Sequence, residues 1–164
     1  ELRQQSKAII SGRAIEREVF PHQIAFNVIP QVDSFQDSGY TKEELKLQNE
    51  ARRIMHLPSF KASVTCVRVP VFRAHCVAVN AEFQERVTLA EARQAISNFR
   101  GIELRDDPTD SVYPMPVNYA GEDVCAVGRL RIDSALENGL AFWVCGDQLL
   151  KGAALNAVQI AELL

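Results

Sequence analysis

Arg68 and His75 stand in the run VRVPVFRAHCVAV, Val67 to Val79, where valine otherwise dominates. An arginine offers a planar fork that grips a carboxylate through two parallel hydrogen bonds. A histidine moves a proton near neutral pH. Together they suit chemistry on a carboxylate-bearing substrate. The structural alternative is Arg68 in a buried ion pair and His75 as a satisfied polar residue in or beside a sheet. On an unbroken strand, positions 68 and 75 would face opposite ways, because strand side chains alternate with period two. A shared pocket therefore needs a bend or bulge between them, and Pro70 is the place for it. Cys76 follows His75, but neighbouring strand residues point apart, so the imidazole is badly placed to activate that thiol.

Glu43 and Lys46 form a second pair at i and i+3 near the start of a predicted helix. Their spacing gives either a solvated ion pair worth about 0.3 kcal/mol or a charged grip on a zwitterionic or phosphorylated substrate. The four cysteines, Cys66, Cys76, Cys125 and Cys145, include no CxxC pair. They are expected as reduced, buried thiols of a cytoplasmic protein, with Cys66 packed in a strand. No ligand spacing suggests a zinc site.

The elements that must position these residues follow from periodicity and capping. ELRQQSKAII predicts a helix that Gly12 closes. EVFPHQIAFNVIPQVD predicts an apolar connector with a short strand. TKEELKLQNEARRIM predicts a helix with Thr41 and Glu44 as capping box, a buried stripe of Leu47, Ala51, Ile54 and Met55, and a stop at Pro58. ASVTCVRVPV and AHCVAVNAEF read as strands rich in β-branched residues. TLAEARQAISNF predicts a helix capped by Thr88 and Glu91, with Leu89, Ala92, Ile96 and Phe99 inward and Gly101 at its end. Residues 106–121 read as a long loop. DVCAVGRLRID and GLAFWVCGD are two further strands, and QLLKGAALNAVQIAELL a closing helix apolar on more than one face. The fold class expected is α+β: a mixed, largely antiparallel sheet with helices on one face.

The 164 residues fit one domain, 1–164, with a sizeable core. Apolar residues make up 47% and charged residues 24%, which describes an ordinary globular chain. A formal net charge of −3 argues against nucleic acid as a partner. No apolar run reaches the roughly 20 residues of a membrane span.

PHQIAFNVIPQVDSF, GYTKEELKLQNEARRIM, SVTCVRVPVFRAHCVAVNAEF and WVCGDQLLKGAALNAVQIAELL, in that order and spacing, closely resemble the C-terminal half of aspartate-semialdehyde dehydrogenases. The resemblance implies a C-terminal domain of the glyceraldehyde-3-phosphate-dehydrogenase type. It also implies NADPH-dependent reductive dephosphorylation of L-aspartyl 4-phosphate to aspartate semialdehyde, on the route to lysine, methionine, threonine and isoleucine. In that family a cysteine displaces phosphate from the acyl phosphate, and hydride reduces the resulting thioester. Carried over residue by residue, His75 is the acid–base group, Arg68 holds the substrate carboxylate, Glu43 the amino group, and Lys46 meets phosphate. Gln148 and Asn156 face NADP.

The family commonly has GHS where this chain has Ala74-His75-Cys76, so only His75 transfers. No dinucleotide-type Gly-rich loop appears, and no cysteine sits in the family's nucleophile context. The expectation is a catalytic and dimerisation domain without its nucleotide-binding half. It should be homodimeric, inactive alone, and have residues 148–164 packing on the absent half. A non-catalytic dimerisation module, a fold-retaining paralogue and an N-acetyl-glutamyl-phosphate-type reductase are the competing assignments. Retention of Glu43, Lys46, Arg68 and His75 together favours the enzyme, and the GYTKEELK block disfavours the longer-substrate reductase.

Overall fold

A computed structural model describes residues 1–164. Contacts divide the chain into two units, Glu1–Phe72 and Arg73–Leu164.

The first unit holds two helices, α1 (Leu2–Ile10) and α2 (Lys42–Ile54). Gly12 follows α1 with φ +66°, the left-handed geometry that ends a helix. Gln5 is buried and acts as a hub: its Nε2 donates to Glu1 Oε1 and to the Glu16 carbonyl, both at 2.8 Å, and its Oε1 accepts from the Ile24 amide at 2.9 Å. One side chain thereby pins the connector, whose Ile24, Ala25 and Ile29 are buried, onto α1. The short strand expected in that connector is reduced to a single bridge between Ile29 and Arg68.

The α2 capping box forms as predicted, with Thr41 and Glu44 bonding reciprocally. Its apolar stripe is not buried: Leu47, Ile54 and Met55 are exposed, since no element of this unit covers them. The predicted strand through Cys66 and Arg68 is also corrected. Residues 62–68 make a single bridge and no ladder, because other amides of the run are taken by side chains. Ala62 donates to Gln48 Oε1 at 3.1 Å, Cys66 to Glu44 Oε1 at 2.8 Å, and Arg68 to the Ile29 carbonyl at 2.9 Å.

The second unit is built on a four-stranded sheet of order β1-β4-β3-β2. Its strands are β1 (His75–Glu82), β2 (Ile102–Leu104), β3 (Cys125–Ile132) and β4 (Gly139–Gly146). β4 pairs antiparallel with β1 and β3, and β2 pairs parallel with β3, so the sheet is mixed and mainly antiparallel, as expected of the α+β class. The helix α3 (Leu89–Asn98) carries its predicted capping box and packs Ala92 on Leu130 and Leu140. Phe99 is exposed instead of inward, because the chain has already left the helix there with an extended backbone.

The loop 106–121 contains a one-turn helix, α4 (Pro116–Tyr119). Its Tyr119 packs with Ala74, Ala126 and Cys145 on the sheet face opposite α3. The closing helix is split: a π-helical turn, Leu150–Ala154, precedes α5 (Leu155–Ala161). Leu155 is half-buried, while Val158 and Ile160 are exposed. The second apolar face of this segment therefore has no neighbour in the chain.

β2 lies close to β3 because Gly128 has no side chain. A Cβ there would press on the Arg105 carbonyl oxygen and lie 2.5 Å from Pro114 Cδ. Gly128→Ala is expected to cost about 1–3 kcal/mol by overpacking, which lowers Tm by roughly 2–4 °C per kcal/mol at this size. Differential scanning calorimetry checks this, and an unchanged Tm would show that β2 can shift freely.

Candidate functional site

In the first unit, Thr41 fixes the first turn of α2, and Glu43 and Lys46 project from it. Lys46 Nζ donates to Glu43 Oε2 at 3.1 Å, with both side chains close to half exposed. A pair this wet contributes little stability. The hydrogen bond and charge of Glu43, then the charges of Glu50 and Asp33, hold the Lys46 ammonium above its usual pKa. The Ser34 amide lowers the Asp33 carboxyl against burial, helped by the Ser34 hydroxyl and the charges of Lys42 and Lys46.

Asp33 also lines a hollow of about 260 Å³ with Arg68, Phe20, Ile29 and Gln31. Arg68 is exposed, with its guanidinium carbon 5.2 Å from the centroid of the Phe20 ring. No carboxylate pairs with it, which overturns the buried ion pair as an account of this residue. A cation held over an aromatic face keeps all its N–H donors for a ligand.

Glu44 joins these parts. It is buried, and its two oxygens accept from the Thr41 amide at 2.7 Å and the Cys66 amide at 2.8 Å. Those amides hold its carboxyl below the usual range, against burial. One side chain thus caps the helix that carries Glu43 and Lys46 and tethers the segment that carries Arg68.

In the second unit, His75 opens β1 opposite Gly146 and is exposed. It shares its sheet face with Val77 and Val79, on the α3 side. Cys76 turns to the other face, packed against the cluster of Ala74, Tyr119, Ala126 and Cys145, so the sequence argument against a Cys76–His75 nucleophile stands. Burial, then a hydrogen bond to Cys145, pushes the Cys76 thiol up to about 12. Burial likewise raises Cys66, Cys125 and Cys145, so all four cysteines are poor thiolates at neutral pH. All four are free. Cys66 lies in the tethered segment, not in a strand.

Gln148 is exposed on the turn after β4, and its amide makes no hydrogen bond within the chain. Asn156 Oδ1 accepts from Lys151 Nζ at 3.0 Å, and Gln159 Oε1 from the same ammonium at 2.6 Å. That contact orients the Asn156 amide and leaves its NH₂ free to donate.

The structure therefore brings Glu43 and Lys46 into contact, and Asp33, which lines the Arg68 hollow, feels the Lys46 charge without bonding to it. Sequence reasoning missed Asp33, the tethering role of Glu44, and the pairing of the exposed Arg73 with the buried Asp147 at 2.6 Å. The only signal for that pair was an acid directly after an apolar strand and an arginine two residues before a histidine. Asp after Gly also reads as an ordinary turn.

The family of semialdehyde dehydrogenase dimerisation domains matches residues 1–151. An aspartate-semialdehyde dehydrogenase from Aquifex aeolicus is 46% identical over 165 residues, covering 100% of this chain and 48% of that protein. The chain spans about half the length of the curated relatives it matches. Among solved structures, aspartate semialdehyde dehydrogenase II from Vibrio cholerae, in complex with ASA, superposes with a TM-score of 0.94 at 42% identity. That match covers 99% of this chain and 48% of the other. An aspartate semialdehyde dehydrogenase with NADP from Candida albicans shares the fold, with a TM-score of 0.69 at 24% identity over 86% of this chain and 45% of that one.

The tether makes a pH prediction. The Glu44 carboxyl sits below its ordinary value of 4.5. Its stabilising contribution is thus full above that pH and is lost as pH falls through the lowered folded value. Glu44→Gln keeps the shape but not the charge. Urea unfolding is expected to find the variant clearly less stable at neutral pH, with the gap narrowing in acid well below the ordinary carboxyl value. A gap equal at both pH values contradicts this account of the carboxylate.

Proposed function

The chain belongs to the semialdehyde dehydrogenase dimerisation-domain family, and on that premise we propose that it supplies the substrate-holding and acid–base groups of an NADP-dependent aspartate-semialdehyde dehydrogenase. The observation that carries this proposal is Arg68: an exposed guanidinium with no carboxylate partner, set over Phe20 in a hollow sized for a small ligand. Such a fork suits the α-carboxylate of an aspartyl substrate. Glu43 meets the substrate ammonium and Lys46 the phosphate. Their mutual bond in the free protein is weak and exchanges readily for substrate charges.

His75 handles the proton at the reacting carbon's oxygen and at the attacking thiol, a role its exposed position at a strand end permits. The thiol itself comes from outside these 164 residues, because burial disfavours the thiolate of each cysteine here. The free amides of Gln148 and Asn156 fit a carboxamide-bearing nicotinamide, and NADP when bound supplies the hydride chemistry. The homodimer is proposed from the dimerisation-domain match, with the sheet as its contact, and the location is proposed as cytoplasmic. No helix of the chain is long and apolar enough to cross a membrane.

In the full-length protein, His75→Ala is expected to lower kcat by about 10²–10⁴. Arg68→Lys should chiefly raise KM for aspartate semialdehyde, because lysine cannot form the two-bond fork. Steady-state kinetics check both, and an unchanged kcat in the His75 variant removes it from the mechanism.

The 164-residue polypeptide alone is expected to be dimeric by light scattering at micromolar concentration and to show no turnover with aspartate semialdehyde, phosphate and NADP. A monomer contradicts the first expectation, and turnover the second.

A further inference from the structure

We propose that Asp147 is a positioning residue for His75, acting through the guanidinium of Arg73. The proposal rests on the assignment of His75 as the acid–base group and goes beyond it by naming what holds the imidazole in place.

Asp147 is buried, with its side chain wholly removed from water. Its Oδ2 accepts from Arg73 Nε at 2.6 Å and from the Gly121 amide at 2.7 Å, and its Oδ1 from the Leu149 amide at 2.9 Å. Burial pushes this carboxyl up, but the two amides and the arginine outweigh it and leave it below the ordinary value. Asp147 is therefore an anion at neutral pH.

Its position in the ladder gives it leverage. His75 is the Cα partner of Gly146 in the last pair of β1 with β4. Asp147 is the next residue on one strand and Arg73 lies two residues before His75 on the other, so the ion pair closes the ladder just beyond the imidazole. Between Arg73 and His75 sits Ala74, buried, with φ +76°. A non-glycine residue keeps that conformation only where its surroundings enforce it. Two restraints flank it: the packing of Ala74 on Tyr119, Ala126 and Cys145, and the Asp147–Arg73 bond. Gly146, the partner of His75, packs closely on β3, where a Cβ would lie 2.7 Å from Cys125 Sγ. If the ion pair is lost, residues 73–75 can relax toward an ordinary backbone and carry the imidazole with them. Misplacement by about 1 Å is enough to cost on the order of 10²-fold in rate.

The test is a double-mutant cycle in the full-length protein. Asp147→Asn is expected to lower kcat by about 10–100-fold while KM for aspartate semialdehyde changes little. In a His75→Ala background the same substitution should have almost no further effect, since the group it positions is gone. Arg73→Gln, which leaves Asp147 its two amide donors and so spares the fold, should reproduce both results. Full additivity with His75→Ala, a change confined to KM, or an unchanged kcat in the folded Arg73 variant overturns the proposal. His75→Ala with unaltered turnover instead rejects the acid–base assignment itself, and the two failures are thereby told apart.

Discussion

A carboxylate sealed from water must have every lone pair answered, and Asp147 meets that demand with two amides and one guanidinium. Those donors come from the segment leading into β1, the residues just after α4 and the turn into the closing helix. One buried charge therefore fixes where three segments of the second unit meet. Such an ion pair is weak evidence for stability, because water reaches the Arg73 guanidinium and screens its attraction. What it supplies is a single geometry, since moving any of the three segments takes a donor from a carboxylate that water does not reach. Glu44 applies the same principle in the first unit, where its oxygens answer the amides of Thr41 and Cys66. In both units a buried acid lies next to residues with proposed roles, and in neither does it belong to the group that would touch substrate.

The tension posed by an arginine and a histidine in a valine-rich run disappears once the backbone is known. Arg68 is not in the sheet. Its segment is tethered by Glu44 and by one bridge to Ile29, and its guanidinium reaches solvent over Phe20. The chain then turns past Pro70, where the Val71 amide bonds the Val69 carbonyl at 2.8 Å, and β1 begins only at His75. Neither side chain is buried, so neither incurs the desolvation cost of a polar group in a sheet core. The valines that looked like strand are exposed around Arg68 and covered only further along, in β1.

Features that depend on neighbours in sequence were legible. Both capping boxes, the Gly12 stop and strands β1, β3 and β4 follow from local chemistry and period-two alternation. Features that depend on distant residues were not. Ile102–Leu104 is a strand only because β3 offers a parallel edge and Gly128 lets it approach. The 62–68 run fails to be one because Gln48 and Glu44 take its amides. The stripe of α2 is periodic as predicted, yet periodicity cannot supply the surface that would cover Leu47, Ile54 and Met55. The candidate site divides the same way. Motif resemblance named His75, Arg68, Glu43 and Lys46, whereas Asp33 and the second duty of Glu44 depend on contacts that no spacing encodes.

The central claim is that an aspartyl substrate is held by Arg68 and worked on by His75. A crystal structure of the full-length protein with aspartate semialdehyde bound tests it most directly. The account predicts a two-bond contact between the Arg68 guanidinium and the substrate carboxylate, Glu43 on the ammonium, and the His75 imidazole within hydrogen-bonding reach of the aldehyde carbon's oxygen. A substrate carboxylate bound by any other group, with Arg68 still resting on Phe20 and free of ligand, would contradict it.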